Sequence, residues 1–385
     1  MSRTRRRATI FTAAAASVVA GAALLPNWSA GASTTAEPKV DAKTKATFQR
    51  LADAVFTDRT NALVDKPGKG KKPLIDGFSG DVAVSSGAAR TEDRALDQLG
   101  DRKDGLARLG EKYSAASTSV TLDRTSVRGR KAVVAVTETT TLTYKKVRGD
   151  EPRTTGFQAH HQLTFKADKR GNWRLTDIRE TDDGYLAVNQ TAKPKVAATT
   201  VDNTMPSSPR AAITRPAPSN PKNFTASGYD YKAMAAYAEK YWRNYNPDYP
   251  DFNGQGAGGD CTNFVSQSLK AGGWKHVPGY VYDYTRWFGN ADIQSHSFVG
   301  VNEWSWFALN SKRVTSLANV YQMDVGDVLQ IDFDKDGSKD HTMIVTYRSP
   351  QGVPYLTYHS TNTYRRSVAS IIASYPNAAY YAYRT

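Results

Sequence analysis

One cysteine, Cys261, stands in 385 residues, so the chain closes no disulfide within itself. With that single thiol, six histidines and no His-Glu-x-x-His run, no Cys/His set has zinc spacing, and no cofactor is expected. No internal repeat is present. The basic residues are scattered rather than clustered, so nucleic-acid binding rests on net charge alone and no nucleic-acid partner is expected.

Acids are also scarce, 37 against 51 lysines and arginines, which leaves a formal charge of +14. The imbalance is sharpest at the start. Ser2 to Arg7 (SRTRRR) carries four arginines and no acid, and ATIFTAAAASVVAGAALL follows as an apolar run of small residues. Ala30-Gly31-Ala32 offers an A-x-A cleavage site, so residues 1–32 read as a secretory signal peptide. An uncleaved anchor is the competing reading; the small residues and the polar stretch that follows argue against it. The arginine pair also permits a twin-arginine route. Cleavage would remove Arg3, Arg5, Arg6 and Arg7, lowering the charge from +14 to +10. A secreted or wall-associated protein with no stable membrane partner is therefore expected, its charge suited to an anionic cell-wall polymer. Outside the cell cysteines normally pair. A lone one is an intermolecular link, a buried passenger, or a thiol kept for chemistry.

Phe48, Leu51, Ala52, Val55 and Phe56 recur at three and four, which predicts a helix within residues 37–67. A second helix is expected over about 91–109, after the Gly/Lys/Pro cluster that runs from Pro67 to Pro73. From Ser119 the period changes to two. Segments 119–124, 131–146, 154–167 and 172–180 read as strands of one curved antiparallel sheet. Residues 37–189 thus predict an α+β domain, similar in element order to cystatin-like or nuclear-transport-factor-like cone folds. His161 shares the parity of Phe157 and Leu163 and reads as a hydrogen-bonded histidine facing the core. Residues 190–222 are rich in Pro, Ser, Thr and Ala and read as a semi-extended linker. Aromatic residues then concentrate in 223–385, which predicts a second domain opening with a helix over 230–244.

Within it, the glycine-rich stretch 253–260 leads straight into CTNFVSQSLKAGGW. Phe264, Val265, Ser268 and Leu269 share one helical face and Gly272-Gly273 ends it, so Cys261 falls in the first turn of a helix with Asp260 at the N-cap. Unpaired backbone amides there favour a thiolate, which points to a nucleophile. A nucleophilic thiol needs a base. His341 opens the strand-like HTMIVTY and His359 lies in the next, so both are expected on one sheet face against the Cys261 helix.

GDCTNFVSQ, GDVLQIDF, DHTMIV and YHST match, in order and spacing, the amidase-domain family of the papain-like superfamily, kin to NlpC-type and CHAP-type cell-wall peptidases. The resemblance covers about residues 225–385. It implies an α+β papain-like domain in which a helix-borne cysteine packs on an antiparallel sheet. It further implies Cys261 as nucleophile, His341 as general base and His359 as the residue orienting the imidazole, with Asn362 as the alternative third residue. Gln255, six residues before the thiol, stands at the offset papain-like proteases use for an oxyanion donor. The implied activity is that of a secreted cysteine amidase or peptidase acting on peptide or peptidoglycan amides. The alternatives are a non-catalytic wall-binding module, with residues 274–307 stacking on sugars, and an acyltransferase using the same thioester. Asp332, Asp334 and Asp336 match the start of a calcium loop, but its twelfth position is Met343, so an acidic hairpin turn is the reading preferred over a metal site.

Overall fold

The computed structural model describes residues 41–65, 82–181, 186–191, 204–253 and 259–385. The segment read as a signal peptide, the Pro67–Pro73 cluster and Gln255 all lie outside the described residues.

The chain is α+β, with seven helices among the described residues and a sheet that is antiparallel except at one pair. Helix α1 (Ala42–Asn61) begins where the Asp41 carboxylate accepts from the Thr44 amide, and it buries Phe48, Leu51, Ala52, Val55 and Phe56. After the short β1 (Val82–Val84), helix α2 (Ser86–Arg108) starts earlier than the periodicity predicts. The reason is local: the Ser85 hydroxyl caps the Ala88 amide.

Strands β2 (Tyr113–Arg128), β3 (Lys131–Tyr144), β4 (Thr154–Ala167) and β5 (Trp173–Glu180) form the expected meander. β1 adds to β5 in the one parallel pairing. α1 covers one face, packing Phe48 and Phe56 over Val134, Leu163 and Phe165. His161 is fully buried there, stacked on Phe56 and bonded through Nε2 to Glu138 at 3.0 Å. This is the core histidine its strand parity predicts.

The C-terminal residues build α3 (Tyr231–Tyr241), α4 (Cys261–Ala271), α5 (His296–Val299) and α6 (Val301–Asn310), with α7 (Val368–Ser374) later in the chain. Their strands are β6 (Thr315–Leu317), β7 (Val328–Asp332), β8 (His341–Arg348), β9 (Pro354–Tyr358), β10 (Asn362–Ser367) and β11 (Ala379–Arg384). Neighbours run in the order β10-β9-β8-β7-β11-β6. The outer strand β10 pairs with β4, Thr363 opposite Phe157, so strands from both halves share one sheet.

This sheet is covered on both faces. On one, Val328, Ile344, Tyr381 and Tyr383 pack under α3, α4 and α6 together with Trp274, Trp287 and Trp304. On the other, Leu329, Ile331, Met343, Leu356 and Tyr358 pack against Ile371 and Ile372 of α7. Trp274, Trp287, Phe298, Trp304 and Phe307 are thus core, Tyr284, Phe288 and Trp306 are half-buried, and Tyr280 and Tyr282 are broadly exposed. Of the Pro/Ser/Thr-rich stretch, residues 204–222 run without helix along the C-terminal half. The Ala211 amide donates to Tyr380 and the Ala212 amide to Ala318.

Candidate active site

Cys261 is the first residue of α4 and is buried. The helix buries nine of its first residues, Cys261 to Leu269, so its start is seated in the fold rather than frayed. Its Sγ lies 3.7 Å from the Thr262 hydroxyl, which meets the Thr342 hydroxyl of β8 at 2.9 Å. Gln330 of β7 reaches the same Thr342 oxygen and the Val301 carbonyl. These contacts fix which face of β7 and β8 looks at α4.

Asp260 occupies the N-cap position but its side chain makes no capping bond. Its carboxylate accepts instead from His359 Nδ1 at 2.8 Å, from Asn263 Nδ2 at 2.8 Å and from the Phe252 amide at 3.3 Å. The His359 ring is gripped on both sides, by Phe264 with centroids 3.9 Å apart and by Tyr245 at 4.0 Å. Its Nε2 reaches the Tyr241 carbonyl at 2.9 Å. Phe264 stands three residues on from Cys261, on the adjoining strip of the helix. The imidazole is thus tied to the start of α4 through Asp260 and Phe264, the neighbours of Cys261 at one and three residues. Asn362 is one layer further out: it accepts from the Tyr245 hydroxyl at 2.7 Å and holds that tyrosine against the ring.

His341 stands elsewhere. Successive strand residues alternate faces, and Thr342 faces α4, so His341 faces away from it. Register agrees, since His341 pairs with Ile331, and both lie with Leu329, Met343 and Tyr358 on the α7 side. Its ring meets Tyr358 edge-on at 5.2 Å, and Nε2 is buried without a hydrogen-bond partner among the described residues. The expectation that both histidines share the face against α4 is thus corrected: one strand-parity step separates them, and the sheet lies between.

Burial, reinforced by the Arg366 guanidinium, pushes the His341 imidazole down to about 3 from an ordinary 6.5. The folded protein therefore declines a proton that the unfolded chain accepts. The stability this lends is complete above pH 6.5 and is lost as pH falls toward 3. His341→Leu is expected to flatten the decline of unfolding free energy between pH 6.5 and pH 4. Denaturant titrations at both pH values check this, and an unchanged slope would refute it.

Ahead of His341, the ligand oxygens of Asp332, Asp334 and Asp340 lie within 4.8 Å of one another. Asp336 is not in this group. It accepts from the Ser338 amide, while Asp332 accepts from the Lys335 and Gly337 amides. Burial raises the Asp340 carboxyl to about 7. Asp334 accepts from the Asp336 amide and Asp340 from the Phe333 amide, so each of these carboxylates bonds backbone within the β7–β8 turn.

Asp327, the acid of the GDV run, serves structure. It accepts from Lys222 Nζ at 2.6 Å, from the Thr385 and Asp324 amides, and pairs with Arg384 at 3.1 Å.

A helix-borne thiol and an aspartate-held histidine bonded to the start of the same helix make up the candidate site. One of the comparisons suggests amide hydrolysis. Residues 228–383 match the family model "Putative amidase domain". Over 142 residues the chain is 32% identical to "Uncharacterized protein YhbB" of Bacillus subtilis, covering 35% of this chain and 44% of that protein. It is also 32% identical over 138 residues to "Uncharacterized protein YjcM" of the same organism, covering 36% of this chain and 32% of that one. The chain thus spans less than half the length of either relative. Among solved structures, the intermembrane space region of chloroplast protein ARC6 covers 37% of this chain and 98% of its own at 16% identity. Its TM-score is 0.23, too low to carry an argument.

Proposed function

We propose that residues 228–383 hydrolyse amide bonds through the thiol of Cys261, with His359, held by Asp260, as the proton carrier. The observation that carries this reading is the 2.8 Å bond between Asp260, the residue before the thiol, and His359 Nδ1. Relative to the roles implied by resemblance, His359 takes the place of His341, and Asp260 takes that of the orienting residue.

Both ring nitrogens of His359 face acceptors, a carboxylate and a carbonyl. That pattern suits a ring carrying two protons, and a cationic ring beside a helix N-terminus favours a thiolate at Cys261. The thiolate attacks the amide carbonyl and a carbon–sulfur bond forms, with the helix start facing the developing oxyanion. As the carbon–nitrogen bond breaks, the ring turns from the Tyr241 carbonyl and Nε2–H protonates the leaving amine. Water then gives a proton to Nε2 as it adds to the thioester, and the carbon–sulfur bond breaks to release the acid. The arginine-led apolar run at the N-terminus and the charge of +10 left after its removal support a peptide of an anionic cell wall as the substrate of a secreted enzyme.

His359→Ala is expected to lower kcat by about 10²- to 10⁴-fold, the usual weight of a positioned proton carrier. His341→Gln should cost less than about tenfold. Because His359 also braces the helix start, Asp260→Asn serves as a milder second variant and should lower kcat without unfolding the protein. Amine release from purified peptidoglycan measures all three. A larger loss for His341→Gln than for His359→Ala would return the base role to His341.

A further inference from the structure

Of the contacts that fix the His359 imidazole, three come from helices or their ends. Asp260 stands at the α4 N-cap, Phe264 lies within α4, and the Tyr241 carbonyl ends α3. Tyr245 is different. It lies beyond the end of α3, in a stretch without helix or strand. Its ring stacks on the imidazole with centroids 4.0 Å apart and planes 21° apart, and Phe264 does the same at 3.9 Å and 26°. Two rings cannot both stack this closely on one face, so the imidazole fills a slot between them.

A side chain on an irregular segment keeps its place through side-chain anchors. The Tyr245 hydroxyl donates to Asn362 Oδ1 at 2.7 Å and accepts from Asn253 Nδ2 at 2.6 Å. Each asparagine is itself held. Asn362 opens β10 and stands opposite Gln158 of β4. Asn253 accepts the Ser360 hydroxyl on its Oδ1, and its backbone amide and Nδ2 both donate to Asp251 Oδ1 at 2.8 Å. His359, Ser360 and Asn362 belong to one short run of chain, so the imidazole and the anchors of the ring that covers it are placed together. Both of these hydroxyl partners are neutral amides. They take no part in proton transfer, and the bonds serve to hold the ring.

An imidazole covered on both faces cannot flip about its Cβ–Cγ bond, because the turning ring would strike its neighbours. A swing within its own plane stays open. That swing can turn Nε2 from the Tyr241 carbonyl while Nδ1 keeps the Asp260 carboxylate.

We propose that Tyr245 is a positioning residue for His359. It closes the slot, bars ring flips, and keeps Nδ1 on Asp260 while Nε2 moves. The proposal rests on the reading of His359 as the proton carrier.

Steady-state kinetics on a peptide amide and proton NMR of the full chain test it. Tyr245→Leu removes the stacked face and should lower kcat by about 10- to 100-fold with KM within about twofold, as misplacement of a proton carrier does. Tyr245→Phe keeps the face and loses the hydroxyl bonds, so a smaller loss of about three- to tenfold is expected. Asn362→Ala should match Tyr245→Phe. Combining the two should cost little more than either, because both remove the same anchor. Thermal unfolding shows which variants are folded; if Tyr245→Leu is not, the Tyr245→Phe and Asn362→Ala pair decides.

The Nδ1–H proton of His359, bonded to a carboxylate, should give a downfield resonance that is missing from His359→Ala. It should be sharp in the wild type and broadened by exchange with water in Tyr245→Leu. An unchanged resonance and kcat in folded Tyr245→Leu would overturn the proposal, as would additive losses in the double variant. The resonance needs no turnover, so it judges the slot separately from the chemistry. Undiminished cleavage by His359→Ala would instead overturn the proton-carrier reading.

Discussion

Cys261→Ala is expected to abolish amide cleavage, with kcat falling by on the order of 10⁴-fold or more, the scale seen when a covalent nucleophile is removed. The fold should survive. The substitution removes one sulfur from a buried site, where Sγ lies 3.7 Å from the Thr262 hydroxyl. Thr262 keeps its 2.9 Å bond to Thr342, and Asp260 keeps His359, so the helix start retains its anchors. A stability cost of about 1 kcal/mol is expected from the lost burial. Amine release and thermal unfolding of the same preparation separate the two effects. Activity lost together with the unfolding transition would leave the alanine result structural, and the Cys261→Ser variant, close in size, would then decide the nucleophile.

Asp327→Ala should unfold the C-terminal half at markedly lower denaturant. The carboxylate is wholly buried and ties three separated pieces of chain: Lys222 at the end of the Pro-rich stretch, the Asp324 turn, and the final residues Arg384 and Thr385. Lys222 is 1% exposed in its side chain, and burial lowers its ammonium to about 8. Removing one partner of a buried pair leaves the other charge uncompensated, at a cost of about 3–5 kcal/mol. Asp327→Asn, which keeps an acceptor for the backbone amides, should cost less. Guanidinium unfolding checks both. A loss under about 1 kcal/mol for the alanine variant would show that the network does not hold the chain ends.

Much of this fold is readable in the residues. The Phe48 to Phe56 spacing gives α1, and the period of two from Ser119 gives the meander, because one face of each element is buried and the other is wet. Cys261 at a helix start follows from glycines before it and an apolar strip after it. The face of His341 does not follow from its neighbours. The first six residues of β8 are all buried, so alternation of apolar and polar residues, which would mark a face, is missing from HTMIVT. The side is set by pairing with β7, through Ile331, at a distance in sequence that no local pattern reports. Asp260 was visible as a cap, the ordinary use of aspartate before a helix. Its bond instead to a histidine 99 residues later is a matter of tertiary placement. The β4–β10 pairing carries no sequence signal either, since edge strands announce their length and not their partner.

Trapping the acyl-enzyme tests the central claim most directly. Intact-mass spectrometry of the protein quenched during turnover of a peptide amide should show an added acyl mass, mapped by digestion to Cys261 and absent from Cys261→Ala. Amine release by Cys261→Ala at the wild-type rate, with no adduct on either protein, would contradict it.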